Sequence, residues 1–111
     1  ALNLMNDPTY VESARKLAER MIREGGSTVA LQIDYGYRLV LGRGAKTREL
    51  AILIAAYDRT VGEFQKDSAQ AVELLKVGTV PAESQIPPAR LGALTVIAST
   101  LLNLDEAVMK E

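Results

Sequence analysis

The run Gly42-Arg43-Gly44-Ala45-Lys46-Thr47, directly ahead of an apolar-periodic stretch, holds the residue types of a phosphate cradle. Such a loop aims main-chain N–H groups and a lysine at an anion. It needs one glycine just before the lysine and another five residues before that glycine. Here those two places are filled by Ala45 and Val40. A phosphate loop also follows a strand, and none is expected here. The run is therefore read as an interhelical turn that uses glycine for its conformational freedom. An anion held by the amides near Thr47 would be adventitious.

Carboxylates are the other chemistry on offer. Glu12, Glu19, Glu49, Asp58, Glu63 and Glu73 could pair as acid and base or gather a divalent ion. Acid–base work needs a concave, partly dry setting that drives two pKa values apart. All six fall on the polar faces of expected helices, so each is expected to be a solvated charge. Neither Gly25-Gly26 nor Gly42-x-Gly44 has the strand–turn–helix context of a dinucleotide site. Tyr10, Tyr37 and Tyr57 fall on expected core faces and are read as packing residues whose hydroxyls find a partner or water. In Asn103-Leu104-Asp105-Glu106, Asn103 is expected to turn the chain out of a helix and Asp105 to cap a new turn. With Arg43, these are the residues singled out for turns or interaction: Arg43, Asn103, Asp105 and Glu106. No catalytic residue, metal ligand or cofactor site is assigned.

Composition narrows the field further. The chain has 111 residues without a single Cys or His, so disulfides, thiolate metal sites, cysteine nucleophiles and covalent haem attachment are excluded from it. The usual general base and the commonest transition-metal ligand are missing too. Thirteen Lys and Arg stand against fourteen Asp and Glu, a net charge of −1, which does not fit the basic stripe of a nucleic-acid binder. Five aromatic residues, Tyr10, Tyr35, Tyr37, Tyr57 and Phe64, are too few for a base- or sugar-stacking platform. The length suits one domain, residues 1–111. No signal peptide and no initiator Met are read, so the chain is expected to be an excised piece of a larger protein or a mature fragment.

Five helices are expected to carry these residues. Asp7-Pro8 opens the first, because Asp7 can accept from first-turn amides and Pro8 has no N–H to leave unpaired. Tyr10, Ala14, Leu17 and Met21 continue it as one apolar stripe to Gly25-Gly26. Its opposite face offers Glu12–Lys16 and Glu19–Arg23 at four-residue spacing. From Val29 to Leu41 every odd position is apolar, which is strand arithmetic. A lone strand among helices would leave buried amides unpaired, so a helix over Thr28–Leu41 is preferred, with Gly36 marking a close helix approach. Thr47 is expected to cap a long helix carrying Leu50, Leu53, Ile54, Tyr57, Val61 and Phe64. Asp67 or Ser68 then starts a short one with Ala71, Val72 and Leu75. After a loop from Thr79 to Pro87, Pro88 opens the last helix, to about Asn103. Its Leu91–Leu104 run has no charge, is too short for a membrane span, and is expected to form the centre of the core.

The ordered series Leu4-Met5-Asn6-Asp7-Pro8, Ala14-Arg15 with Leu17-Ala18, Tyr37–Arg43 and Leu101–Glu106 resembles the C-terminal part of a domain of unknown function. That domain occurs in large secreted proteins of planctomycetes and related bacteria that also carry a cytochrome c-like module. The resemblance spans nearly the whole chain and supports a helix through Tyr37–Gly42. Ala107 departs from it, standing where that family tends to have a large aromatic residue. It implies an extracytoplasmic setting, with the other domains of the parent protein as partners and any haem held elsewhere.

The expected fold is thus an all-α bundle of about five helices. The first functional expectation is a non-catalytic accessory or interaction module of a larger extracytoplasmic protein. A second is part of an enzyme acting on a glycan or phosphate-bearing substrate through carboxylates and Arg43. The third is a homo-oligomeric scaffold using the flank Leu31, Tyr35 and Leu39.

Overall fold

Asp7 and Pro8 do what their chemistry allows. In the computed structural model, Asp7 Oδ1 accepts the N–H of Thr9 at 2.9 Å, and Pro8 is the first residue of helix α1, Pro8–Glu24. Helices α2 (Val29–Leu41), α3 (Thr47–Lys66), α4 (Ser68–Leu75) and α5 (Pro88–Met109) follow. The structure describes residues 7–109, with side chains to Asp105, and no strand occurs among them. The opening Ala-Leu-Asn-Leu-Met-Asn, the final two residues and the side chains of Glu106 and Ala107 lie outside the described residues.

The alternating stretch Val29–Leu41 is helical, and the reason lies in which residues it buries. Gln32, Ile33, Gly36 and Tyr37 turn inward together, a helical face that the period-two pattern hides. Thr28 Oγ1 caps this helix by accepting the N–H of Leu31 at 3.2 Å. Gly42 closes it in the left-handed conformation at φ 73°, where a Cβ would be strained. Gly36 marks a close approach, as its position suggested: an added Cβ would lie 2.8 Å from Leu101 Cδ1 of α5.

The helix that carries the uncharged Leu91–Leu104 run is the centre. Leu91, Ala93, Leu94, Ile97, Ala98 and Leu101 of α5 are buried, and α5 touches each of the other four helices. Its hydroxyls are satisfied within the helix: Thr95 donates to the Leu91 carbonyl at 2.7 Å and Ser99 to that of Val96 at 2.8 Å. On α1, Ala14, Ala18 and Met21 pack against this rod, and the Tyr10 hydroxyl donates to the Ser99 carbonyl at 3.0 Å. Phe64 of α3 lies over Gly92, with Ala71 of α4 and Ala93 completing a second apolar cluster. The radius of gyration, 13.1 Å, is that of a packed chain of this length, about 13 Å. No described helix is long and apolar enough to cross a membrane.

Three expectations need correction. Helix α5 runs through Asn103 and Asp105 without a break, so Asn103 does not turn the chain out and Asp105 does not cap a new helix. The lack of any glycine or proline after Gly92 leaves nothing there that forbids the helix. Thr47 is the first helical residue of α3 rather than its cap. Lys46 holds the cap position, and the Oε1 of Glu49 accepts its N–H at 2.9 Å. The polar face of α1 is not wholly solvated, because Arg15 is 0% exposed and Glu19 only 6%.

Candidate functional site

Two polar clusters hold most of the residues whose types could do chemistry. The first lies along α1, where Glu12, Arg15, Glu19 and Arg23 share one face at spacings of three, four and four. The connection between α4 and α5 crosses this face. Glu12 Oε2 accepts the N–H groups of Thr79 at 2.9 Å and Val80 at 2.6 Å. Glu19 Oε2 accepts the N–H of Glu83 at 2.9 Å and a hydrogen bond from Arg15 Nη1, also at 2.9 Å.

Arg15 donates to the carbonyls of Val80 and Pro81 and also pairs with Glu12 at 3.6 Å, while its buried Nε has no partner. Arg23 pairs with the Glu83 carboxylate. The four side chains therefore alternate acceptor and donor against the main chain and side chains of residues 79–83. The hydrogen bonds from Val80 and Thr79, with Lys16 and Arg15 nearby, hold the Glu12 carboxyl below its ordinary range despite partial desolvation. At one end, Arg23, Glu83, Ser84 and Gln85 line a wide-open depression of about 420 Å³.

The second cluster is the α2–α3 turn. Glu49 grips Arg43 with both oxygens, at 2.8 and 2.9 Å, and takes the Lys46 N–H as well. Those bonds, that of Arg43 foremost, drive the Glu49 carboxyl down to about 2. The guanidinium of Arg43 also sits 5.4 Å from the centre of the Tyr37 ring. Asp34 Oδ1 accepts the Ala45 N–H at 2.8 Å, and Arg38 pairs with its other oxygen at 2.9 Å. The amides of Ala45 and Lys46, which a phosphate loop would turn toward an anion, are thus already bonded to the protein's own carboxylates.

The structure places the expected residues as follows. Glu12 and Glu19 come together around Arg15, whereas Glu49 is apart from them in the turn with Arg43. Asp58, Glu63 and Glu73 are exposed and join neither cluster. Among the described residues, no group of three or more Asp or Glu could hold a metal ion. Asn103 and Asp105 lie on the last turns of α5, and Asn103 is exposed. Sequence reasoning missed Arg15 and Asp34. The spacing of Glu12, Arg15 and Glu19 was a readable signal, because an arginine between two glutamates on one face can be neutralised enough to be buried.

The fold and these two clusters define a helical domain whose charges mostly bind its own chain. The sequence profile of the PSD1 family, proteins of unknown function (DUF1553), matches residues 1–57, and the protein belongs to this family. The matched part takes in α1, α2 and the first half of α3, and so contains Glu12, Arg15, Glu19, Asp34, Arg43 and Glu49. Residues 79–83 and α5 lie outside the match. No curated protein and no solved structure matches this chain.

Proposed function

We propose that this chain is a non-catalytic helical accessory or interaction module of a larger extracytoplasmic protein. The observation that carries the reading is the use made of its carboxylates. Glu12, Glu19, Asp34 and Glu49 each accept main-chain N–H groups of connecting segments, and each also faces an arginine. A catalytic carboxylate must reach the proton or centre that reacts. These are engaged in fastening loops to helices. The extracytoplasmic setting rests on the resemblance described above, and the partners it implies are the other domains of the parent protein.

An assay on the purified chain tests this. Fluorogenic glycosides and phosphate esters should show no turnover above buffer. A rate that disappears in Glu19→Gln or Glu49→Gln, with the fold intact by circular dichroism, would replace the module with an enzyme.

A second reading has its own observation. Leu31 and Leu39 of α2 are 51% and 38% exposed, on the flank expected to serve self-association. Tyr35 between them is half-buried and donates its hydroxyl to Glu24 of α1. Exposed leucines in a row suit a partner surface. Sedimentation of the chain and of a Leu31→Asp, Leu39→Asp double variant reads this directly: a dimer lost in the variant supports it, and a monomer in both removes it.

A further inference from the structure

We infer that residues 79–83 form a strap that opens as one local unit about Gly78, uncovering on α1 a stripe built to bind peptide backbone. Glu12 accepts the amides of residues 79 and 80, Arg15 binds the carbonyls of 80 and 81, and Glu19 accepts the amide of 83. Apart from the Arg23–Glu83 pair, each of these contacts is to the main chain, so the stripe reads chain direction and spacing rather than side-chain identity.

The spacings agree. Seven residues of helix, from Glu12 to Glu19, rise about 10.5 Å. Three residues of chain, from Val80 to Glu83, can span up to about 10 Å. A proline at 81 also favours an extended residue before it.

The strap is held by polar contacts over most of its length. Val80 is 47% exposed and Pro81 is exposed, while Ala82 and Ile86 alone pack against the core from this connection. Segments with few buried apolar contacts open at lower free energy than the core they cover. Gly78 stands at the boundary with φ 103°, and an added Cβ there would lie 2.4 Å from Glu12 Cδ. The closed strap also leaves the buried Arg15 Nε without an acceptor. Opening gives that donor access to water or to another main-chain carbonyl. The ligand class of the uncovered stripe is accordingly an extended peptide segment, and residues 79–83 are its occupant in cis.

Hydrogen exchange on the full chain tests the strap, read by NMR at the amides of Thr79, Val80 and Glu83 and at those of Ile97 to Leu101 in α5. In Glu12→Gln, protection at 79 and 80 should fall at least tenfold. Protection at 83 should fall with it although Glu19 is intact, and α5 should stay within twofold. A fall at 79 and 80 with 83 unchanged would end the claim of a unit. The wild-type chain supplies the same answer if that variant does not fold. At low urea, strap amides should exchange at rates independent of denaturant while α5 amides respond to it. A shared urea dependence, or no protection in the strap at all, would overturn the inference.

Discussion

A Cβ built on Gly36 of α2 would lie 2.8 Å from Cδ1 of Leu101 on α5 and 2.9 Å from Sδ of Met21 on α1. The three helices meet at a residue that has no side chain. Gly62 of α3 offers the contrast, because nothing lies within 4 Å of a Cβ placed there.

Replacing each glycine by alanine separates packing from propensity. Alanine is favoured over glycine inside a helix by about 1 kcal/mol, so Gly62→Ala should stabilise the protein by about that much. At Gly36 the same gain is opposed by overpacking, typically about 1–3 kcal/mol. The two variants should therefore differ by about 1–3 kcal/mol in urea unfolding, with Gly36→Ala the weaker. Equal midpoints would mean that the side chains of Leu101 and Met21 move aside freely.

The central role of α5 makes a sharper claim. Leu101 is fully buried, and cutting it to alanine removes contacts with the helices packed on α5. Such truncations cost about 2–5 kcal/mol. Leu104, three residues on, is 39% exposed, so Leu104→Ala should change stability by less than about 0.5 kcal/mol. Similar losses in the two variants would contradict the burial pattern along this helix.

How much of this was readable from residues alone follows from the range of each interaction. Caps and helix periods are local: Asp7-Pro8, Thr28 and Gly42 each declare themselves within a turn, and the uncharged Leu91–Leu104 run within about four. The end of α5 was misjudged because Asn103 and Asp105 favour turns only as a tendency, and nothing there compels the helix to stop. Glu49 falls in the first turn of α3, where an acid suits the helix dipole, but its grip on Arg43 depends on a loop conformation no pattern reveals. Arg15 was harder still. Its burial requires carbonyls from residues 80 and 81, which are 65 and 66 positions away, and a period-based reading assigns an arginine to solvent by default.

The Glu49 carboxyl, lowered to about 2, gives a pH dependence with a definite sign. The ordinary value for such a carboxyl is 4.5, so the folded form binds this proton less readily than the unfolded form. The resulting stability is present above about pH 4.5 and is lost as pH falls toward 2. Glu12, also lowered, acts in the same direction. Carboxyl titration by NMR should find Glu49 well below 4.5 when Arg43 is intact and move it upward in Arg43→Gln. An unshifted Glu49 in the wild-type protein would show that the two-point grip does not persist in solution.

Arg15 poses the strongest energetic test, since its guanidinium is buried against Glu19, itself only 6% exposed. In Arg15→Met the buried glutamate loses its cation, and breaking a buried pair in this way costs about 3–5 kcal/mol. Neutralising both sides need not cost as much, because apolar replacement of a buried ion pair is often close to neutral. The Arg15→Met, Glu19→Met double variant should therefore recover much of the loss, leaving a deficit set by the amide of Glu83 and the carbonyls of Val80 and Pro81, which then have only water to bond. Urea unfolding of the wild type, both single variants and the double variant closes the cycle. A double variant no more stable than Arg15→Met would mean that Arg15 acts chiefly by holding the backbone of residues 80 and 81, with its charge pairing of little consequence.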